Sequence, residues 1–326
     1  MQAVVIERFG APADVVAPAD WPQPNPGPGE ARVRMLLSPI HNHDLAIVRG
    51  VYGYRPKLPA VPGTEAVGIV DALGEGVRGL EVGQRVATAS TNGAWADRFI
   101  ASASKLVPVP DALPDEAACQ LLAMPLSALM LLEDLRLESG QWLAQNAANG
   151  AVGKALATLA RTRGVHVVNL VRRDAALADL AAAGIDNGIS TEQAGWQQRV
   201  AAVTGNAPIL RAVESIGGES AQQLMSVLAE NGELVSFGSL TFKPLVIGAD
   251  QLIFKQTTVK GYWASKRLAA TPPAELARMI GELARLIAGG TLKLPVEAVF
   301  GLDRASEAMA AAERVGRAGK VLLRGA

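Results

Sequence analysis

The sequence contains few of the residues that metal sites and disulfide frameworks need. It has one cysteine, Cys119, and three histidines in 326 residues. One thiol cannot form an internal disulfide and cannot build a four-cysteine zinc site. We therefore interpret Cys119 as a small core residue and expect a cytoplasmic protein, because a reducing compartment suits a chain without disulfides.

The chain also has no net charge and no long apolar segment. Lys and Arg together number 31, as do Asp and Glu, so nothing in the charge balance indicates nucleic acid or an anionic membrane as a partner. No run reaches the roughly 18 consecutive apolar residues of a membrane span. Glu7 and Arg8 interrupt the first apolar run, unlike a signal peptide. We expect neither a nucleic-acid nor a membrane partner.

The hydrophobic pattern changes character after residue 110. Before it, short Val, Ile and Ala runs alternate with Gly and Pro, which is typical of a compact β-barrel. After it, apolar strands alternate with helical stretches, which predicts βαβ units and a parallel sheet. The predicted strands of that sheet are residues 142–145, 165–171, 209–216 and 233–237. Residues 115–137 are predicted to be helical, and helices near 274–288 and 303–314 and strands near 296–300 and 320–323 follow.

A small-residue turn lies between the predicted strand at 142–145 and the next helix. Residues 146–153 read Asn-Ala-Ala-Asn-Gly-Ala-Val-Gly, so the spacing is that of a dinucleotide fingerprint whose first glycine is alanine. We expect Gly150 to allow backbone angles closed to other residues, and Gly153 to permit tight helix packing. The helix N-terminus would then face the pyrophosphate.

Two arginines follow the second strand of this unit. Arg172 stands 19 residues beyond Gly153, where a carboxylate would bind the ribose hydroxyls of NAD. Guanidinium groups suit a 2′-phosphate instead, so Arg172 and Arg173 favour NADPH over NADH. The alternative is a solvated arginine pair at a strand end. Asp174 is interpreted as the N-cap of the following helix.

Three segments together carry a family resemblance. Two of them resemble the cofactor segments of the mitochondrial-type trans-2-enoyl-thioester reductases: QWLAQNAANGAVGKALATLARTRGVHVVNLVRR and DQLIFKQTTVKGYWASK. The likeness extends toward the N-terminus through RGVYGYRP, which is followed by PGTEAVG. These features are similar to the enoyl reductase and quinone oxidoreductase branch of the medium-chain dehydrogenase/reductase superfamily.

The resemblance implies an α/β fold of two parts. A GroES-like β-barrel substrate domain would span residues 1–118 and be completed by a return segment at 265–326. A doubly wound Rossmann domain with a parallel sheet, at 119–264, would bind NADPH. The resemblance also implies a homodimer, and a cofactor lying between the two domains.

The resemblance further assigns residues to the cofactor. The pyrophosphate loop would be Asn149, Gly150, Ala151, Val152 and Gly153, with Arg172 and Arg173 on the 2′-phosphate. The nicotinamide side would be lined by Phe237, Gly238, Ser239, Leu240, Tyr262, Trp263 and Ala264, and Lys320 would also reach the cofactor. Without the resemblance, Lys320 could equally be a surface lysine, and the two aromatic residues ordinary core packing.

Zinc is not expected, although alcohol dehydrogenases of this superfamily use it. Their His-Glu pair after Pro-Gly is here Thr64-Glu65, and their four-cysteine lobe is missing. His41 and His43 lie two residues apart in a predicted strand or turn, and we interpret them, with Asp44, as a polar turn bonded to backbone. For Glu65 we favour a buried, hydrogen-bonded structural acid over a catalytic role, because nothing in the sequence pairs it with a proton path.

The candidate proton donor is Tyr52, which matches the tyrosine of the enoyl reductases. A phenol stays protonated at neutral pH and can donate to an enolate, and Tyr54 is the fallback. The substrate pocket would include His41, Tyr54 and Met124, where His41 and Met124 replace asparagines of the family. A quinone or general enone reductase and an NADPH-binding protein without turnover remain alternative functions. The alternative interpretation of Tyr52 is a loop aromatic that packs over the cleft.

Overall fold

The computed structural model describes residues 1–326, which form two compact units. Unit 1 comprises residues 1–123, 284–290 and 294–326, and unit 2 comprises residues 124–283 and 291–293. The divisions at 123 and 283 lie later than the predicted 118 and 264. Residues 265–283 belong with unit 2, where Arg267 pairs with Asp134 at 3.0 Å and Met279 and Leu283 are fully buried.

The helices and strands follow one another in this order. The first part holds β1 (Gln2–Ile6), α1 (Pro12–Val15), β2 (Val16–Asp20), β3 (Glu30–Pro39), α2 (Asn42–Arg49), β4 (Ala66–Leu73), β5 (Arg85–Thr88), β6 (Arg98–Ser102), β7 (Val107–Pro108) and α3 (Asp115–Ala118). The middle holds α4 (Met124–Leu135), β8 (Trp142–Gln145), α5 (Ala151–Thr162), β9 (His166–Val171), α6 (Ala175–Ala182), β10 (Gly188–Ser190), α7 (Trp196–Thr204), β11 (Ile209–Glu214), α8 (Ser220–Val227), β12 (Glu233–Ser236), α9 (Ala249–Phe254), β13 (Thr258–Gly261), α10 (Ala264–Ala269) and α11 (Pro273–Ala288). The last part holds β14 (Val296–Gly301), α12 (Ala305–Glu313) and β15 (Lys320–Arg324).

Unit 1 is built on a seven-stranded sheet. Its strand order is β14-β15-β3-β4-β5-β7, with β6 also paired to β3, and all pairs except β14–β15 are antiparallel. The alternation in β3 places Val33 and Met35 in the core with Trp95 and Phe99. Because β15 pairs with β3, the end of the chain completes a sheet begun by its first third.

Unit 2 confirms the doubly wound parallel sheet. All five neighbouring pairs in the order β10-β9-β8-β11-β12-β13 are parallel. The chain runs outward from β8 to β10 and then crosses back to β11. The strand order therefore reverses between β8 and β11, and ligands of such sheets bind at the carboxyl ends of the strands beside this switch point.

Two local predictions differ from the structure. Residues 115–137 form two helices, α3 and α4, separated by residues 119–123. The residues His41 to Asp44 begin helix α2 instead of forming a strand or turn, because the Asp44 carboxylate accepts the backbone N–H of His41 at 2.9 Å. The helix ends at Gly50, whose φ of 72° suits glycine.

None of the helices combines the length and the apolar character that a bilayer crossing requires.

Candidate functional site

The turn between β8 and α5 has the shape of a phosphate-binding loop. A Cβ on Gly153 would lie 2.7 Å from the Cα and the carbonyl oxygen of Ala148, so only glycine fits there, as predicted. Gly150 does not use the freedom expected of it, since its φ of −75° and ψ of 164° are open to any residue. Ala147 takes the left-handed conformation instead, with φ 48°.

Asn146 fastens this loop to the neighbouring strand. Its Nδ2 donates to Glu214 Oε1 at 3.0 Å and to Ser220 Oγ at 2.7 Å, and its Oδ1 accepts the backbone N–H of Ser215 at 2.8 Å. Asn149 donates to Asp179 at 2.9 Å, while its buried Oδ1 has no protein partner. The loop therefore holds the N-terminus of α5 in place, where the first N–H groups of the helix have no intrahelical acceptor.

A cavity of about 450 Å³ lies beside this loop at the switch point. It is lined by Asn146, Leu170, Val171, Arg172, Arg173, Thr191, Glu192, Ile216, Ser220, Gln223 and Leu224. Arg172 and Arg173 are exposed, and the one acidic residue of the lining, Glu192, accepts the backbone N–H of Asp174 at 2.9 Å. The cavity therefore combines two guanidinium groups with hydroxyl and amide groups, a donor set that suits a phosphate.

Asp174 holds the N-cap position of α6 as predicted, but its side chain does not cap the helix. The carboxylate accepts Nε2 of Gln193 at 2.5 Å instead. Asp174 and Glu192 are thus both engaged by neighbours and do not pair with the two arginines.

The residues predicted for the nicotinamide side lie at the carboxyl ends of β12 and β13. Residues 237–240 follow β12 and residues 262–264 follow β13. The rings of Phe237 and Tyr262 stack with centroids 5.9 Å apart, whereas Trp263 is 60% exposed. Burial and the neighbouring Asp134 carboxylate raise the pKa of the Tyr262 phenol. Because parallel strands end at one edge, unit 2 brings these residues to the edge that carries Asn149 and Gly150. Met124 also belongs to unit 2, at the start of α4, and is partly buried.

In unit 1, Tyr52 lies just beyond α2 and next to a polar cluster. Its partly buried ring is 5.9 Å from that of His43, centroid to centroid. Tyr54, two residues further along, is more exposed, at 45%. The polar cluster consists of His41, His43, Asp44, Thr64, Glu65 and Lys320 and is called the histidine cluster below.

A hydrogen-bonded chain of three side chains forms the outer part of the histidine cluster. His43 Nε2 lies 2.7 Å from Thr64 Oγ1, and Thr64 Oγ1 donates to Asp44 Oδ1 at 2.8 Å. The His43 side chain is 24% exposed, whereas Asp44 is fully buried. Burial lowers the pKa of His43, while the nearby Asp44 carboxylate opposes that shift.

The inner part of the histidine cluster is a fully buried pair. His41 Nε2 lies 2.6 Å from Glu65 Oε2, and Glu65 Oε1 accepts the backbone N–H groups of Leu122 and Ala123, both at 2.7 Å. Glu65 is thus a buried, hydrogen-bonded acid as predicted, and the fold gives it a titratable partner, His41, that the sequence did not reveal. His41, which was predicted to line the substrate pocket, is 0% exposed, so it can act there only through its neighbours.

Burial raises the pKa of Glu65 to about 8, against the opposing effect of its two backbone hydrogen bonds. Burial also lowers the pKa of His41 well below its usual value, and the Lys320 ammonium adds to that shift. Both shifts favour neutral groups, so the pair holds one proton over a wide pH range.

Lys320, the first residue of β15, is the sixth member of the histidine cluster. Its side chain is nearly buried, and its Nζ donates to the carbonyl oxygen of Ile40 at 3.5 Å. Burial lowers the pKa of Lys320 to about 8, and the nearby Arg317 contributes. Its contact with a cofactor stays a prediction. Cys119 is a buried core residue, as expected, and burial raises the pKa of its thiol.

We expect the buried pair to make stability fall with rising pH between about 6.5 and 8. In the unfolded chain Glu65 titrates near 4.5 and His41 near 6.5. Between these two pH values the folded and the unfolded protein each bind one proton on the pair, so the contribution of the pair to the free energy of unfolding does not change with pH. Above 6.5 the unfolded pair has lost its proton while the folded pair keeps one up to about 8. The free energy of unfolding should therefore drop by up to about 2 kcal/mol over this window.

Urea unfolding at pH 5.5, 6.5 and 8 measures this effect. Glu65→Gln is the matched control, because the amide keeps the shape and cannot ionise, so the fall should disappear in that variant. An equal fall in both proteins would contradict the assignment. The series stops at pH 8, because Lys320, with its folded-state pKa lowered from 10.5 to about 8, adds stability with rising pH above that point.

No three His, Cys, Asp or Glu side chains of the chain are grouped so that they could hold a metal ion.

Family models match a large part of each unit. A family model described as alcohol dehydrogenase GroES-like domain matches residues 27–111, and one described as zinc-binding dehydrogenase matches residues 151–285. The mitochondrial enoyl-[acyl-carrier-protein] reductase of Arabidopsis thaliana is 32% identical over 305 residues, which cover 91% of this chain and 81% of that protein.

Solved structures extend the match to the whole chain. The quinone oxidoreductase of Escherichia coli, solved in complex with NADPH, superposes with a TM-score of 0.90 at 25% identity and covers 99% of this chain and 100% of that one. A mycobacterial protein complexed with NADPH gives a TM-score of 0.89 at 27% identity, with 99% and 100% covered. The chain therefore belongs to the medium-chain dehydrogenase/reductase superfamily, in the branch that contains the mitochondrial enoyl reductases and the quinone oxidoreductases.

Proposed function

We propose that this protein is an NADPH-dependent oxidoreductase that reduces the activated C=C bond of a 2-enoyl thioester. The observation that carries the proposal is the cavity at the switch point of unit 2, which Arg172 and Arg173 line together with Asn146, the first residue of the loop after β8. The substrate class follows from the enoyl-[acyl-carrier-protein] reductases at 31–32% identity.

The residues present fit a phosphorylated dinucleotide. The Gly153 contact leaves no room for a side chain at the loop, and the unpartnered Asn149 Oδ1 is a buried acceptor beside it. Asn149, Gly150, Ala151 and Val152 would hold the pyrophosphate, and the two arginines the 2′-phosphate. The stacked Phe237 and Tyr262, with residues 238–240, 263 and 264, would flank the nicotinamide.

When bound, NADPH supplies a hydride to the β-carbon of the enoyl group. The chain's own task is then to stabilise the enolate and protonate its α-carbon. We assign the protonation to Tyr52, whose phenol O–H gives its proton to that carbon. Over one turnover the enoyl thioester, NADPH and one proton become the saturated thioester and NADP⁺.

We also propose that the reaction needs no zinc. The histidine cluster has its donors committed to one another, with His41 bonded to Glu65 and His43 bonded to Thr64. A threonine hydroxyl bonded to a carboxylate is a poor substitute for the histidine or cysteine ligands that catalytic zinc takes.

Reduction of a quinone or a general enone is the second candidate. It is favoured by the E. coli quinone oxidoreductase, which matches this chain over its full length. His41 and Met124, in place of the asparagines of the enoyl reductases, agree with a changed pocket. An NADPH-binding protein without turnover is the third.

A panel of acceptors run with NADPH and with NADH separates the three. We expect NADPH oxidation with 2-enoyl thioesters to exceed that with quinones and with simple enones. Faster quinone reduction would favour the second candidate, and no turnover with any acceptor would favour the third. Binding of NADPH in the absence of an acceptor, measured by fluorescence titration, shows that each preparation is folded and able to bind the cofactor.

A homodimer formed along the edge of the unit 2 sheet completes the proposal. Strand β13 is the edge of that sheet, and next to it α9 exposes a patch of Leu252, Ile253 and Phe254, with Ile253 64% and Phe254 76% exposed. An unpaired edge strand and an exposed apolar patch on the helix that precedes it invite pairing with a second copy.

The substitution Phe254→Asp should convert the dimer to a monomer, since a charge in an apolar contact is costly. Size-exclusion chromatography with light scattering measures the mass. Val82→Asp is the matched control, because Val82 is also exposed, at 63%, but lies in unit 1. A monomeric wild-type protein would refute the dimer.

We place the protein in the cytoplasm. Its one cysteine is buried and unpaired, so no part of the fold depends on an oxidising compartment.

A further inference from the structure

We propose that His43 is a positioning residue for proton delivery, which passes protons from solvent to the phenol of Tyr52 after each turnover. This inference rests on the proposed function, in which Tyr52 gives up its proton. Nothing in that function explains why a histidine, held by two further side chains, should stand against Tyr52.

The hydrogen-bonded chain settles which nitrogen of neutral His43 carries the proton. The Asp44 carboxylate can only accept, so the Thr64 hydroxyl must donate to it, which uses the single hydroxyl proton. Thr64 Oγ1 can then only accept from His43, and Nε2 must be the N–H donor. Nδ1 is therefore left with its lone pair.

The position of Nδ1 suits a proton acceptor. It makes no hydrogen bond within the protein, and His43 is partly exposed. The centroid separation of 5.9 Å from Tyr52 is a distance that a direct contact or one bridging water can span. The imidazole thus has one nitrogen bonded to Thr64 and the other without a protein partner, in a partly exposed ring that neighbours Tyr52.

Charges from each neighbouring element act on His43. Asp44, on its own helix, favours the imidazolium, and Lys320 of β15 disfavours it. The inner pair, His41 and Glu65, shares one proton and stacks against the outer ring through His41, with centroids 5.0 Å apart. Burial lowers the pKa of His43 and the Asp44 carboxylate partly offsets that shift, so the imidazole is mainly neutral at neutral pH and its free nitrogen is a base.

The proposed reaction requires Tyr52 to be reprotonated in every turnover. When Tyr52 protonates the α-carbon, the O–H bond breaks and a phenolate remains. Nδ1 of the neutral imidazole then takes a proton from solvent and passes it to the phenolate oxygen, which restores the Tyr52 phenol and leaves His43 neutral again. One proton enters and one leaves the relay in each turnover, and the Nε2–H bond to Thr64 is unchanged throughout.

The test compares the first turnover with steady-state turnover. His43→Gln keeps a donor for Thr64 but cannot carry a proton. With a short-chain 2-enoyl coenzyme A and excess NADPH, we expect kcat to fall about 100-fold, the low end for a positioned proton-transfer group, while the rate of the first turnover stays unchanged. Added imidazole should raise kcat of the variant and leave the wild type unaffected.

Threonine variants supply the matched pair. Thr64→Val removes the hydroxyl that holds His43 and should lower kcat in the same direction, whereas Thr64→Ser keeps the hydroxyl and should behave like the wild type. An unchanged kcat in His43→Gln overturns the relay. The relay is also overturned if His43→Gln lowers the first-turnover rate as much as kcat and added imidazole does not restore kcat, because a purely structural role would give that result.

A second readout is independent of turnover. Nitrogen-15 NMR of the imidazoles should show the Nε2–H tautomer for His43, and the preference should weaken in Thr64→Val. An Nδ1–H tautomer in the wild type overturns the proposal. If the wild type reduces no acceptor, the proposed function itself has failed; if it turns over and His43→Gln matches it, only the relay has failed.

Discussion

Replacing Tyr52 with phenylalanine should lower kcat for 2-enoyl thioester reduction by about 100- to 10,000-fold, the range a positioned general acid contributes. Phenylalanine keeps the ring that packs near His43 and removes only the O–H. The enolate left after reduction then lacks its donor. NADPH affinity should stay at the wild-type value, because the cavity and loop that we assign to the cofactor belong to unit 2.

Steady-state assays with the enoyl thioester, and titration with NADPH alone, measure the two effects. Tyr54→Phe is the matched control, since it removes a phenol from the same loop at a position that is 45% exposed. Full activity in Tyr52→Phe with a large loss in Tyr54→Phe would exchange their roles. Retained quinone reduction in Tyr52→Phe would favour the second candidate function, which needs no dedicated donor.

Replacing both Arg172 and Arg173 with alanine should weaken NADPH binding by about 100-fold or more. Each hydrogen bond to a charged group contributes about 1.5–3 kcal/mol, and the two guanidinium groups are the cations that line the cavity. NADH lacks the 2′-phosphate and should bind the variant about as well as it binds the wild type. The preference for the phosphorylated cofactor should therefore nearly vanish.

Calorimetric titration with both cofactors measures the change in preference. Arg78→Ala removes an exposed arginine of unit 1 and should leave both affinities unaltered. A wild-type protein that prefers NADH, or a double variant that still prefers NADPH as strongly, would refute the assignment of the cavity. Repeating the titration at high salt adds a check, because charge-assisted contacts at an exposed site weaken with ionic strength.

The order of elements in unit 2 was predictable because it depends on local pattern. Predicted strands of four to eight residues, separated by helical stretches, correspond to β8, β9, β11 and β12, and all four are present. Gly153 was also predictable, since its spacing from Gly150 carries the packing requirement. Arg172 followed from its place just beyond β9, which a count along the chain supplies.

Other local predictions failed where a distant or side-chain contact decided the backbone. The residues His41 to Asp44 looked like a turn, but the Asp44 carboxylate satisfies the His41 N–H and starts α2. Gly150 was given a strained conformation that Ala147 adopts instead. Unit 2 runs past the predicted boundary at 264, and within it Arg267 pairs with Asp134, which lies 133 positions earlier in the chain.

The sequence by itself determined the superfamily, the small-residue turn after β8 and the place of the arginine pair, since each is carried by the order of residues within separate short segments. Only the tertiary structure decided the histidine cluster. His41 meets Glu65 across 24 residues, and His43 meets Thr64 across 21. Which buried polar groups pair, and so which proton each one holds, depends on how strands and helices pack, and that information lies in no single segment of the chain.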